Sequence, residues 1–416
     1  MPESLASAES NRKAPSLASD AGAGEQPGEH GAVADPGAEK PEEKEPPLAS
    51  QHTNTFAEFL DQFGISVMVT TYQAGRLVML RADQGLVNTH FRRFQQPMGL
   101  AVDRGRLAVG TSCEIWEFHN LAGIAAEMEP KGRCDACYLP RGSHTTGQMH
   151  IHEMAWAPAT EIGQQRGEGR KELWFINTRF SCLGTRDLRY SFQPRWQPPF
   201  ISELAPEDRC HLNGLCLAPQ NNASAREPRW FVTALGEANE PRGWRANKRD
   251  GGILMETGRG DILARGLSMP HSPRWHDGRL WMLESGTGSI GIVDLQTGKY
   301  ESVVELPGFT RGLDFYGRYA FVGLSQVRET AIFGGLPITE RAERSCGVWI
   351  VDVVAGKIVG WLKFADTGVR EIFAVQLLTD ARFPDLINHD RKWIGESFVL
   401  PDQPLDSVPE KYVHRA

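Results

Sequence analysis

Long apolar runs are missing from this chain. No stretch approaches the ~18–20 consecutive apolar residues that a membrane-spanning helix needs. An excess of positive charge is missing too. The formal net charge is −7, which invites neither nucleic acid nor an anionic membrane surface. Cysteine is sparse: 7 in 416 residues, an odd number spread along the chain, argues against a disulfide framework and fits a reducing compartment. The opening Met1-Pro2-Glu3-Ser4-Leu5-Ala6 has no basic region followed by an apolar one, so no secretory signal is readable and a cytoplasmic protein is expected. Aromatic residues are absent from residues 1–50, which are rich in Ala, Ser, Glu, Pro and Gly. Such a segment cannot bury enough apolar surface to offset its ordering entropy, so a disordered tail is expected over residues 1–52.

Several chemical signatures are also lacking. No nucleophile elbow surrounds Ser272, and no helix follows Gly286-Thr287-Gly288 to make it a phosphate loop. Cys134-Asp135-Ala136-Cys137 has CxxC spacing without a second ligand pair for zinc or a βαβ setting for a redox site, and reads as two half-buried thiols near a turn. Cys182, at a strand end, reads as a small buried hydrophobe before it reads as a nucleophile.

What is present is a repeat. A polar residue at the mouth of an apolar run, a turn, and a second apolar run recur six times, most clearly at Pro270-His271-Ser272-Pro273-Arg274-Trp275. The mouth positions are Met98, His152, Asn213, His271, Arg311 and Glu371, spaced 40 to 61 residues apart. A period of this size with several strands per unit is the signature of a propeller blade. Second strands are expected at 106–110, 172–178, 229–234, 279–284 and 319–324. Matching hairpin turns stand at Asp294-Leu295-Gln296-Thr297-Gly298 and Asp352-Val353-Val354-Ala355-Gly356. Trp156, Trp174, Trp230, Trp281 and Trp349 lie in strands and read as packing between blades.

Helical spacing of Phe56, Phe59, Leu60 and Phe63 predicts a short helix leading into the domain. Three strand-like runs follow, starting at Ser66, Arg76 and Val87. Only one good strand follows Glu371, so the N-terminal trio is expected to pair with it and close the last blade. The reading is an all-β, six-bladed β-propeller over residues 55–380, with a C-terminal extension over 381–416 and a monomeric state.

In a propeller the innermost strands line a central channel, so the mouth residues are expected to converge at one end of it. His152, His271 and Glu371 form a candidate ligand set for a divalent transition metal, Fe, Mn or Zn. Asn213, His211 and Arg179 are candidate cofactor-binding neighbours. Glu153 and Glu284 are candidate bases, and Arg311 completes the candidate catalytic set. Arg311 would repel a bare cation, and fits equally as a partner of Glu371 or as a fork for an anionic small molecule. The rival reading is a protein-interaction scaffold that uses two long loops, 121–149 and 235–252.

Long phrases of the chain resemble a bacterial family of conserved hypothetical proteins. They include Asp135-Ala136-Cys137-Tyr138-Leu139-Pro140-Arg141, Pro206-Glu207-Asp208-Arg209-Cys210-His211-Leu212-Asn213-Gly214, Met269-Pro270-His271-Ser272-Pro273-Arg274-Trp275 and Pro307-Gly308-Phe309-Thr310-Arg311-Gly312-Leu313. The resemblance covers residues 55–380 and implies a propeller-like domain of unknown function. More distantly, the channel site is similar in idea to six-bladed lactonases and gluconolactonase-like enzymes, which hold a divalent metal with Asn and carboxylates. This chain is richer in His and adds Arg311, so their calcium chemistry is not carried over.

Overall fold

The structure is a computed structural model that describes residues 48–159, 171–219, 228–258, 260–327, 334–365 and 368–413. Six sheets, each with four antiparallel strands at its core, form a ring. Blade 1 runs outward from Leu100–Asp103 through Arg106–Gly110 and Glu114–Asn120 to Ala136–Thr145. Blade 2 holds Met154–Pro158, Lys171–Asn177, Cys182–Thr185 and Gln193–Trp196. Blade 3 holds Leu212–Leu217, Trp230–Ala234, Gly252–Glu256 and Ile262–Leu267. Blade 4 holds Pro270–His276, Arg279–Glu284, Ser289–Val293 and Tyr300–Glu305. Blade 5 holds Phe309–Tyr316, Tyr319–Ser325, Gly347–Asp352 and Lys357–Phe364. The first-named strand of each is innermost, and each inner strand touches those of the two neighbouring blades.

Blade 6 closes the ring as the sequence predicts. Its inner strand, Ala374–Leu378, comes from the C-terminal side and pairs with Ser66–Thr71, which is followed outward by Arg76–Asp83 and Leu86–Arg93. The register sets Val67 opposite Leu377. The predicted helix spans Asn54–Phe63, with Thr53 as its cap and Gly64 (φ 65°) ending it in the left-handed region that favours glycine.

Both chain ends add a strand of their own. Of the expected tail, residues 1–47 lie outside the described residues, but Ser50–His52 pairs with Lys357–Phe364 as a fifth strand of blade 5. From the C-terminal extension, Pro384–Leu386 runs parallel to Ala136–Thr145 and gives blade 1 its fifth strand. The expected loop over 121–149 contains this Ala136–Thr145 strand, preceded by a short helix at Ala122–Glu127. Pro140 and Gly142 interrupt its strand pattern, and its outer partner comes from about 240 residues further along the chain.

Strands sandwiched between two blades are apolar on both faces, because neither face meets water. Trp230–Ala234 is buried at every position. Trp174 of blade 2 meets Trp230 of blade 3 with ring centres 5.4 Å apart. The matching hairpins are held alike: Asp294 Oδ1 accepts the amides of Gln296 (2.7 Å) and Thr297 (3.0 Å), and Asp352 Oδ1 those of Val354 (3.1 Å) and Ala355 (2.9 Å).

A second repeat joins blade to blade. A hydroxyl at the end of the second strand donates to a carbonyl at the start of the next blade. Thr70 reaches Met98 O at 2.5 Å and Thr178 reaches Leu212 O at 2.6 Å. Ser285 reaches Thr310 O at 2.5 Å and Ser325 reaches Ile372 O at 3.0 Å. These bonds satisfy backbone groups that the ring buries.

Candidate functional site

The mouth residues open onto a cavity of about 270 Å³ at one end of the channel. Met98, His152, His271, Arg311 and Glu371 line it together with His211, so five of the six mouth positions converge. Its apolar wall includes Leu235, Met269, Phe309 and Phe373.

His152 and His271 are held in the same way, two blades apart. The Nδ1 of His152 lies 3.0 Å from His150 O and 2.7 Å from Thr178 Oγ1. The Nδ1 of His271 lies 2.9 Å from Met269 O and 2.9 Å from Ser285 Oγ. Each hydroxyl already donates its one proton to the next blade. The proton between hydroxyl and ring therefore belongs to Nδ1, which leaves Nε2 as a bare acceptor. Burial, reinforced by the Arg311 charge, pushes both imidazoles well below their usual range and keeps them neutral.

In four of the six blades the residue two places before the mouth has a strained backbone. Gln96 (φ 49°), His150 (φ 54°), His211 (φ 52°) and Met269 (φ 48°) all sit in the left-handed region, which bulky side chains avoid. In blades 2 and 4 this bend turns the carbonyl of residue i−2 onto the histidine Nδ1.

Arg311 faces these imidazoles. Its guanidinium lies 3.4 Å over the Phe373 ring, and Nη1 reaches Glu371 Oε1 at 3.3 Å. Burial lowers its pKa to about 10, against the opposing pull of Glu371 and Glu153. The carboxyl of Glu371 is pushed up by burial, which outweighs Arg311. Tyr72, also on the wall, is pushed up by burial and then by Glu371.

The remaining expected site residues stand elsewhere. Glu153 is buried beneath the cavity, paired with Arg274 at 2.5 Å and accepting the Leu215 amide at 2.9 Å, so it is not free to act as a base. Glu284 holds a turn, accepting the Ser268 amide at 3.0 Å and the Thr287 hydroxyl at 2.9 Å. Asn213 is buried with Oδ1 taken by Thr233 at 2.7 Å, and Nδ2 has no partner among the described residues. Its strand shifts register between Leu212 and Gly214, which turns it off the cavity wall. Among the described residues the Arg179 side chain reaches Gln148, at 3.4 Å; its carbonyl serves the site by accepting the Asp208 amide at 2.9 Å. Burial pushes the thiols of Cys137 and Cys182 up to about 12, so neither is poised as a nucleophile.

His152, His271 and Glu371 share the cavity wall without forming a grouped ligand set. Among the described residues no three His, Cys, Asp or Glu side chains stand where they could hold an ion. Glu371 is committed to a guanidinium, whose charge repels a divalent cation.

The sequence reading missed Asp208, Trp244 and Phe373 on the wall. Asp208 binds His211 Nδ1 through both oxygens, at 2.8 and 3.1 Å, and takes the Trp244 indole N–H at 3.1 Å. The i, i+3 spacing of Asp208 and His211 inside a Pro/Glu-rich turn was the available signal. The loop 235–252 thus builds the cavity wall through Leu235, Trp244 and Arg245. No helix among the described residues is long and apolar enough to cross a membrane.

Fold and site together define a six-bladed β-propeller with a cup of mixed polar and apolar lining at one end of its channel. The chain belongs to the family described as a domain of unknown function, DUF4915, which matches residues 54–387. No curated protein matches it. Among solved structures it is similar to a chain of a nidogen/laminin complex (10% identity, 76% of this chain and 99% of that one, TM-score 0.47). It is similar also to a protein of unknown function from Bacteroides caccae (9% identity, 76% and 98%, TM-score 0.46). A third is virginiamycin B lyase from Staphylococcus aureus (10% identity, 72% and 76%, TM-score 0.32).

Proposed function

We propose that the cavity binds a small hydroxylated organic anion, with its acidic group on Arg311 and its hydroxyls on the bare Nε2 atoms of His152 and His271. The observation that carries this is Arg311 itself. A guanidinium has five N–H donors in a fork that matches a carboxylate, and Arg311 spends one on Glu371 at 3.3 Å. Burial disfavours its charged form more than Glu371 and Glu153 favour it, yet the guanidinium stays protonated at neutral pH, so an incoming anion relieves an under-compensated cation. Two neutral imidazoles fixed as acceptors favour a ligand that carries hydroxyl donors. Phe373, Phe309 and Leu235 suit its carbon skeleton.

The test is calorimetric titration with lactate, glycerate, gluconate, glucuronate and 3-phosphoglycerate. At least one is expected to bind the wild type, and Arg311→Gln is expected to weaken that binding by roughly 10–100-fold, the loss of one charge-assisted fork. Arg311→Gln binding as tightly as wild type, or no acid binding at millimolar concentration, would overturn the reading.

A further inference from the structure

His150, His152, His211 and His271 line the cup, and His211 is built differently from His152 and His271. His152 and His271 give their Nδ1 protons to neutral groups, a carbonyl and a hydroxyl. His211 gives its Nδ1 proton to a carboxylate, Asp208, at 2.8 Å. A carboxylate behind an imidazole fixes the tautomer, leaves Nε2 as the base, and stabilises the imidazolium that forms when Nε2 takes a proton. A carbonyl does the first two and little of the third. No hydrogen bond to Nε2 of His211 is present among the described residues, and its ring centre is 4.8 Å from that of His152.

The backbone around this pair is bent to make it. Asp208 and His211 each have φ of 52°, two left-handed non-glycine residues within four. Such strain persists only where the surroundings over-determine it. Arg209, between them, supplies that constraint. It binds Glu203 at 2.5 Å, Glu207 at 2.8 Å, Asn239 at 2.9 Å and Ser202 at 3.1 Å, while its carbonyl accepts the Trp244 amide at 3.2 Å. The Trp244 ring lies 4.6 Å from His211 and its N–H holds the second oxygen of Asp208. Packing alone does not call for a carboxylate and an imidazole pinned in contact at the edge of a cavity.

We infer that Asp208 and His211 make the cup catalytic: His211 Nε2 removes the proton from the carbon next to the bound acid's carboxylate, and Arg311 holds the enediolate that results. This rests on the reading of the cup as an anion site. The Cα–H bond breaks, its electron pair moves into the carboxylate, and the proton goes to Nε2 of His211. Its return to Cα, or that of a solvent deuteron, restores the acid with no oxidant, reductant or further reactant. Arg311 is suited to the second role, since the carboxylate gains negative charge as the proton leaves. His152 and His271 are not candidates for the base, because burial keeps their imidazolium forms too acidic.

The test is solvent exchange in D2O, followed by proton NMR on the five acids named above, with binding read on the same samples by saturation transfer. For an acid that binds, the Cα–H signal is expected to decay with wild-type protein. His211→Asn is expected to keep binding within a few-fold and to lose exchange by about 10²–10⁴-fold, the usual weight of a general base. Asp208 is a positioning residue, so Asp208→Asn is expected to slow exchange while the dissociation constant stays put. Thermal melts of both variants check that they fold. Independently of any ligand, diethyl pyrocarbonate is expected to label His211 at Nε2, more slowly in Asp208→Asn. An acid that binds without exchange, or exchange at the wild-type rate in His211→Asn, would overturn the proton transfer and leave the anion site standing. If no acid binds, the anion reading fails and this inference with it.

Discussion

Glu153 and Arg274 meet at 2.5 Å inside the ring, joining blade 2 to blade 4 past the edge of blade 3. Leu215 of blade 3 gives its amide to the same carboxylate at 2.9 Å, and Arg274 Nε reaches Leu313 O of blade 5 at 2.8 Å. Asp314, beside Leu313, accepts the Leu377 amide of blade 6 at 2.8 Å. Five blades are thereby tied to one buried ionic group at the axis.

Removing half of a buried pair leaves the other charge stranded. Arg274→Met is therefore expected to lower stability by roughly 3–5 kcal/mol in urea unfolding. The double variant Glu153→Gln/Arg274→Met is expected to lose markedly less than the sum of the two single variants. Single variants within 1 kcal/mol or so of wild type would show that the pair has no such role.

The two hydroxyl latches set the histidine tautomers. In ¹⁵N NMR, His152 and His271 are expected to show protonated Nδ1 and bare Nε2 from pH 6 to 8, because burial holds both imidazoles neutral there. Thr178→Val leaves Leu212 O unsatisfied and is expected to destabilise the fold by about 1–3 kcal/mol. A protonated Nε2 in the wild type would contradict the assignment.

The donor geometry bears on metal content. Purified protein is expected to carry no stoichiometric Fe, Mn or Zn in elemental analysis. Chelator treatment is expected to leave anion binding unchanged. One equivalent of metal lost together in a His152→Ala/His271→Ala variant would restore the metal reading.

Asp385 fastens the C-terminal strand. Burial pushes its carboxyl up, but the His90 hydrogen bond and the charges of Arg92 and His90 outweigh burial and hold it at about 2 instead of 3.8. A depressed carboxyl contributes stability above its unfolded pKa and loses it as pH falls toward the folded one. Wild type is therefore expected to lose the advantage over Asp385→Asn between about pH 4 and pH 2, an advantage of about 1–2 kcal/mol after allowing for partial exposure. Equal urea midpoints for the two proteins at pH 7 would rule this out.

Much of the ring was legible in the sequence because blades repeat and second strands are apolar on both faces. Predicted runs at 106–110 and 279–284 match the strands Arg106–Gly110 and Arg279–Glu284. The site was legible only in part. Alternation along an inner strand predicts which side faces the axis, but register shifts at Leu212/Gly214, His271/Arg274 and Thr310/Leu313 reset that phase. Asn213 fell on the wrong side of such a shift. Glu153 stands next to a cavity residue yet points to Arg274, a partner about 120 residues away that no local pattern reveals.

The pairing of Ser66–Thr71 with Ala374–Leu378 has a consequence for how the protein is made. A ribosome adding about 5–20 residues per second needs on the order of 15–60 s to travel the roughly 300 residues between these partners. Through that interval the N-terminal three strands wait with one edge unpaired. Ser66–Thr71 is buried along its whole length in the finished ring, so this waiting edge exposes Val67, Met68 and Val69 and unpaired backbone groups to any nascent chain nearby. Closure waits for Ala374–Leu378 to be made, and a chain stopped short of Ala374 has no strand with which to finish the circle.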